Sequence, residues 1–270
     1  MEVLIYKIIA TDMDGTLLNS RNLISNENRE AMIKAQEKGC KIVLASGRPI
    51  AAMKIFEKEL KLAEYESYLI GFNGGQIIDC KTRETVFSLG LKENDIRYLF
   101  EKAEEYGVNI LTYNDGTILA KYDDEFARIE ARYTNFPIKV IQSLDELDYT
   151  KTIKCMFVAK PAKIRECLEK LKKERKDKYF MSISDPHFLE ICDINVNKGT
   201  AIKKLCEKLN IDLKYLITCG DSYNDKEMLE ISGLSVAAAN ANEDIRKLCT
   251  YTSVTNDEHI LKDVIDKFIM

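Results

Sequence analysis

Four apolar runs, at residues 3–10, 41–45, 215–219 and 234–237, punctuate the chain without the alternation of a half-exposed strand. That pattern belongs to strands buried on both faces, as in a parallel sheet covered by helices. Between and after them, residues 26–38, 201–209 and 226–230 have helical character. Strands alternating with helices in this order predict an open, mainly parallel sheet of Rossmann-like type.

A long interval separates the second run from the third, and it has strand and helix signals of its own. A hairpin is predicted from 76–79 with 84–88, after Asn73-Gly74-Gly75. Beyond it come a helix over 93–105, a strand over 108–113, a turn at Asn114-Asp115-Gly116, a strand over 117–122 and a helix over 123–133. A strand over 152–159, a helix over 162–173 and strands near 179–183 and 187–191 complete the set. Such a series is a second α/β module inserted into the first. The expected division is a core of residues 1–82 and 187–270 with an insertion of 83–186, and the fold class is α/β.

The core strands end in chemistry. Asp12-Met13-Asp14-Gly15-Thr16 follows the first run and Gly220-Asp221-Ser222-Tyr223-Asn224-Asp225 follows the third. Carboxyl ends of strands are where open α/β sheets bind ligands. Closely spaced carboxylates repel unless a cation or a shared proton relieves them, which points to Mg²⁺ or to acid/base work. A polar turn or a helix cap would also use Asp and Asn at either place. Ser46-Gly47-Arg48-Pro49 follows the second run and offers a hydroxyl, an open backbone and a cation just before a helix start, a corner suited to phosphate. Asn197-Lys198-Gly199-Thr200 opens the helix at 201–209. An ammonium there gains nothing from the helix dipole, so it hints at an anion held between the lysine and the helix end.

In this order the four motifs resemble the haloacid dehalogenase superfamily, and within it the Cof-like phosphatases with a large inserted cap. The resemblance covers the whole chain and implies a role for each matching position. Asp12 would be the nucleophile, forming an aspartyl phosphate, and Asp14 the acid that protonates the leaving alcohol and then activates water. Mg²⁺ would bind the Asp12 carboxylate, the Asp14 backbone carbonyl and Asp221. Ser46 and Gly47 would bind phosphate with Lys198 and Asn224. Asp225 would steady Lys198 or the metal, Thr16 would orient Asp14 or its loop, and Arg48 would support the corner. Where such proteins show Met-Gly-Asn-Ala, this chain has Ala238-Ala239-Asn240-Ala241, which keeps the asparagine. A cap closing over the phosphate would exclude water and choose the leaving group.

Composition narrows the alternatives. No apolar span approaches the roughly 18–20 residues of a membrane helix, and no leader precedes the first strand, so a cytoplasmic protein with no membrane partner is expected. The formal net charge of −4 argues against a nucleic-acid partner. The eight cysteines form no Cys-x-x-Cys pair, and His187 and His259 stand far apart, which disfavours zinc and histidine-based hydrolysis. Lys170, Lys172, Lys173, Arg175, Lys176 and Lys178 read as the solvated end of a helix. The expected activity is Mg²⁺-dependent hydrolysis of a small phosphorylated metabolite, such as a sugar phosphate, by a monomer or homodimer. A phosphomutase using the same intermediate and a non-catalytic phosphometabolite-binding protein are the alternatives.

Overall fold

The computed structural model describes residues 6–114 and 116–270. Residues 3–5 of the first apolar run, and Asp115 of the predicted turn, lie outside the described residues. The chain begins with β1 (Ile8–Thr11), α1 (Asn26–Glu37), β2 (Lys41–Ala45), α2 (Ile50–Glu59), β3 (Tyr68–Gly71), β4 (Gln76–Asp79) and β5 (Thr85–Ser88). The inserted segment contains α3 (Glu93–Tyr106), β6 (Asn109–Asn114), β7 (Thr117–Ala120), α4 (Glu125–Thr134), β8 (Ile138–Val140), β9 (Lys154–Val158), α5 (Pro161–Arg175), β10 (Tyr179–Asp185) and β11 (Phe188–Asp193). The chain then returns through α6 (Lys198–Leu209), β12 (Leu216–Gly220), α7 (Lys226–Glu230), β13 (Leu234–Ala237), α8 (Glu243–Leu248), β14 (Tyr251–Thr252) and α9 (Ile260–Phe268).

The first compact unit comprises the residues up to Phe87 together with Asn197–Met270. Its sheet runs β14-β13-β12-β1-β2-β3-β4-β5, with parallel pairing from β14 through β3 and an antiparallel β3–β4 pair. Alternate residues feed two cores. Ile9, Ile42, Leu44 and Ile217 pack with α1 and α9, while Ile8, Ala10, Val43 and Leu216 pack with α6 and α7. Burial on both faces accounts for the largely apolar runs. Strands progress outward in opposite directions from the neighbouring pair β1 and β12, so the carboxyl ends of these two flank the switch point where such sheets bind ligands.

The second unit is Ser88–Val196. Its six strands run β10-β11-β9-β6-β7-β8, antiparallel except for β7–β8. One face packs Ile110, Cys155, Phe157 and Leu189 against α3 and α5. From the other, Lys154 pairs with Glu190 at 2.8 Å, both buried. The limits differ from the expected 83 and 186. Residues 85–87 lie in β5, next to β4 in the first sheet, and β11 is bonded between β10 and β9, which carries 187–193 into the second unit. Among the described residues no helix is long and apolar enough to cross a membrane.

Candidate active site

Adjacent strand ends bring the acids together. The Asp12 N–H donates to the Cys219 carbonyl at 2.9 Å, which continues the β1–β12 ladder and sets Asp12 beside the loop carrying Asp221 and Asp225. Carboxylate oxygens of Asp12, Asp221 and Asp225 all lie within 4.8 Å of one another. Lys198, the first residue of α6, enters this group with a fully buried side chain. Its Nζ donates to Asp12 Oδ1 and, at 2.7 Å, to Asp225 Oδ1. Asp225 Oδ2 accepts the Asp221 and Ser222 N–H groups at 3.0 Å each, so this carboxylate fixes both the lysine and the loop.

Burial, the neighbouring Asp225 charge and the Asp221 charge push the Asp12 carboxyl well above the ordinary range, against the pull of Lys198. Asp221 is also raised, chiefly by burial. Burial alone would lower Lys198, but Asp12 and Asp225 outweigh it and hold the ammonium above its usual value. One buried cation therefore faces three carboxylates.

Asp14 points elsewhere. Its carboxylate is half exposed and takes a two-pronged bond from Arg48, Nε to Oδ2 at 3.0 Å and Nη2 to Oδ1 at 2.5 Å. The two acids of Asp-x-Asp thus diverge, and the repulsion expected between them falls instead among Asp12, Asp221 and Asp225. Arg48, expected as the cation of the phosphate corner, is engaged because a guanidinium fork matches a carboxylate. Ser46 is buried and its Oγ accepts the Arg48 N–H at 3.2 Å. Asn224, expected at phosphate, donates through Nδ2 to Asn73 Oδ1 at 3.0 Å. Thr16 does not orient Asp14 through its hydroxyl; it donates to Asp221 Oδ1 at 2.8 Å.

The sequence model of one family, described as haloacid dehalogenase-like hydrolase, matches residues 9–265. The chain belongs to the haloacid dehalogenase-like hydrolase family. Among curated members, Phosphatase YwpJ of Bacillus subtilis (strain 168) is 32% identical, over 94% of this chain and 96% of its own length. The 5-amino-6-(5-phospho-D-ribitylamino)uracil phosphatase YcsE of the same organism is 29% identical, over 98% and 96%. A crystal structure of a haloacid dehalogenase-like hydrolase from Bacteroides thetaiotaomicron superposes with a TM-score of 0.91 at 31% identity, covering 97% of this chain and 99% of that one.

In this haloacid dehalogenase-like hydrolase the turn after β1 is braced from the far end of the chain. Asn240 Nδ2 donates to the Gly15 carbonyl at 2.8 Å, while Asn240 Oδ1 accepts the Asn256 N–H at 3.0 Å. Asn256 Nδ2 in turn reaches the Leu18 carbonyl at 2.9 Å. This is the asparagine kept within Ala238-Ala239-Asn240-Ala241, a bracing role that sequence spacing alone does not reveal. Gly15 has φ +80°, and a Cβ there would lie 2.6 Å from Asp221 Oδ2. Gly15→Ala is therefore expected to lower kcat/KM by about tenfold or more, the equivalent of ~1.4 kcal/mol at the transition state, with a lower melting temperature. Steady-state kinetics beside thermal melts check it.

The donor set fits a hard divalent cation. Carboxylate oxygens are the ligands Mg²⁺ takes, and Asp12, Asp221 and Asp225 carry more negative charge than Lys198 offsets. Burial is the main cause of the upward shifts of Asp12 and Asp221, the neighbouring Asp225 charge adds to both, and a cation beside them would relieve that repulsion.

Proposed function

We propose that this hydrolase is a Mg²⁺-dependent phosphatase of small phosphorylated metabolites, sugar phosphates or similar, acting through an aspartyl phosphate on Asp12. The observation that carries this reading is the buried Lys198, clamped between Asp12 and Asp225 at the β1–β12 switch point. The name of YcsE, a phosphatase of a phosphorylated ribitylamino compound, supports the choice of substrate class.

Asp12 attacks phosphorus, and the bond to the leaving alkoxide breaks as Asp14 delivers it a proton. Asp14 then takes a proton from water, whose oxygen attacks the aspartyl phosphate; phosphate leaves and the Asp12 carboxylate is restored. Lys198 holds Asp12 in place and sets a fixed positive charge beside the group in transfer, while the Ser46 hydroxyl and the Gly47 N–H bind its oxygens. Before substrate arrives Arg48 holds both Asp14 oxygens, and one of them is released from the fork to carry the proton. Asp12, Asp221 and the Asp14 backbone carbonyl would hold Mg²⁺, with Asp225 steadying Lys198. Mg²⁺ bound there supplies charge against the gathered acids and the phosphate dianion. The inserted unit is assigned the choice of leaving group.

Phosphate release from a panel of small phosphomonoesters, with Mg²⁺ and with chelator, tests this. Release that stops on chelation and returns with added Mg²⁺ is expected. Release indifferent to chelator would remove the metal from the proposal. Isomerisation of a hexose phosphate without net release would replace hydrolysis with phosphomutase activity.

A further inference from the structure

The turn after β3 carries a feature that the four motifs do not use. Phe72 and Asn73 both have positive φ, 53° and 55°, and Gly74 follows at 105°. Consecutive left-handed residues without glycine are costly, and such conformations persist where the surroundings over-determine them. Here the surroundings are the site. The Phe72 N–H donates to the Arg48 carbonyl at 3.0 Å and the Asn73 N–H to the Ser46 carbonyl at 2.9 Å. A Cβ on Gly74 would lie 2.2 Å from the Asn197 carbonyl oxygen and 3.0 Å from the Lys198 nitrogen. The turn is thus tied to the loop after β2 and packed on the start of α6.

What this arrangement places is the Asn73 side chain. It is 9% exposed, and its amide lies against Gly47, where a Cβ would come within 3.1 Å of Nδ2 and 3.3 Å of Oδ1. Asn224 Nδ2 donates to Asn73 Oδ1, which commits that oxygen as an acceptor and leaves Nδ2 as the donor. A donor against the Gly47 backbone, on a residue whose own N–H is bonded to the Ser46 carbonyl, suits an anion.

We propose that Asn73 is a substrate-binding residue whose Nδ2 donates to an oxygen of the transferred phosphoryl group, with Asn224 fixing the amide's direction. The proposal rests on the phosphatase reading for the place of the phosphate. It gives Asn224 a positioning role, one residue removed from the phosphate contact that its motif suggests.

Two substitutions suit the left-handed backbone. Asn73→Gly keeps the turn and removes the amide, while Asn73→Asp keeps the shape and replaces the donor with a carboxylate. Calorimetric titration of the Mg²⁺-loaded protein with inorganic phosphate reads binding without turnover. Asn73→Gly is expected to weaken phosphate binding about tenfold, the scale of a lost hydrogen bond to a charged group, and Asn73→Asp about a hundredfold or more. Melting temperatures show that both variants remain folded. Phosphate affinity within twofold of wild type in folded Asn73→Asp would overturn the assignment. Failure of the wild type to bind phosphate would overturn it too, leaving phosphate release from esters to judge the phosphatase reading separately.

Discussion

Asp12→Asn is expected to eliminate phosphate release while leaving the protein folded. The amide has nearly the shape of the carboxylate but no nucleophilic oxygen, and losing a covalent nucleophile costs on the order of 10⁴-fold or more in turnover. Stability should move little, for a reason visible in the site. Asp12 is one of three carboxylates within 4.8 Å, and burial and its acidic neighbours already work against its ionised form. Neutralising it removes repulsion from Asp221 and Asp225, and Lys198 keeps its 2.7 Å bond to Asp225. Phosphate release and a thermal melt on the same preparation check both halves. A folded variant retaining a tenth of wild-type turnover would show that phosphorus is attacked by another group.

The sequence was informative where chemistry follows a buried strand. Asp12 and Asp221 could be read together because two largely apolar runs end just before them, and parallel pairing brings those ends side by side. Lys198 could be read because a lysine opening a helix runs against the dipole, and in the structure Asp12 and Asp225 supply the negative charge that its position calls for. The remaining site residues depended on side-chain direction, which motif spacing does not encode. Asp14 and Arg48 are far apart in sequence and bind each other, so the cation expected at phosphate serves the acid instead. Asn73 depends on a left-handed turn that only the assembled sheet specifies.

Fold boundaries followed the same logic. The insertion is legible as a run of strand and helix signals, but its C-terminal limit lies at Val196, beyond the expected 186, because pairing to β10 and β9 decides which sheet β11 joins. Strand β3 (Tyr68–Gly71) leads directly into the turn at Phe72–Gly74, and its place in the sheet is set by pairing with β2 and β4. Helix α9 carries a legible signal as well: Ile260, Leu261, Val264 and Ile265 recur at helical spacing, and all four are buried against the first core.

Removing Lys198 should lower stability markedly, whereas removing the Asp12 charge leaves it nearly unchanged. In Lys198→Ala, Asp12 and Asp225 lose their buried ammonium while Asp221 remains close, and breaking a buried ion pair from one side costs about 3–5 kcal/mol. A marked fall in melting temperature is expected in metal-free buffer, and Mg²⁺ should recover part of it by supplying positive charge to the same acids. Catalysis should fall by about a hundredfold or more even where the variant is fully folded, because the fixed charge beside the transferred group is gone. Measuring turnover well below the variant's melting temperature, with Mg²⁺ saturating, separates the two effects. Near wild-type turnover under those conditions would reduce Lys198 to a structural counter-ion. A hundredfold loss with the fold intact would place its charge in the transition state.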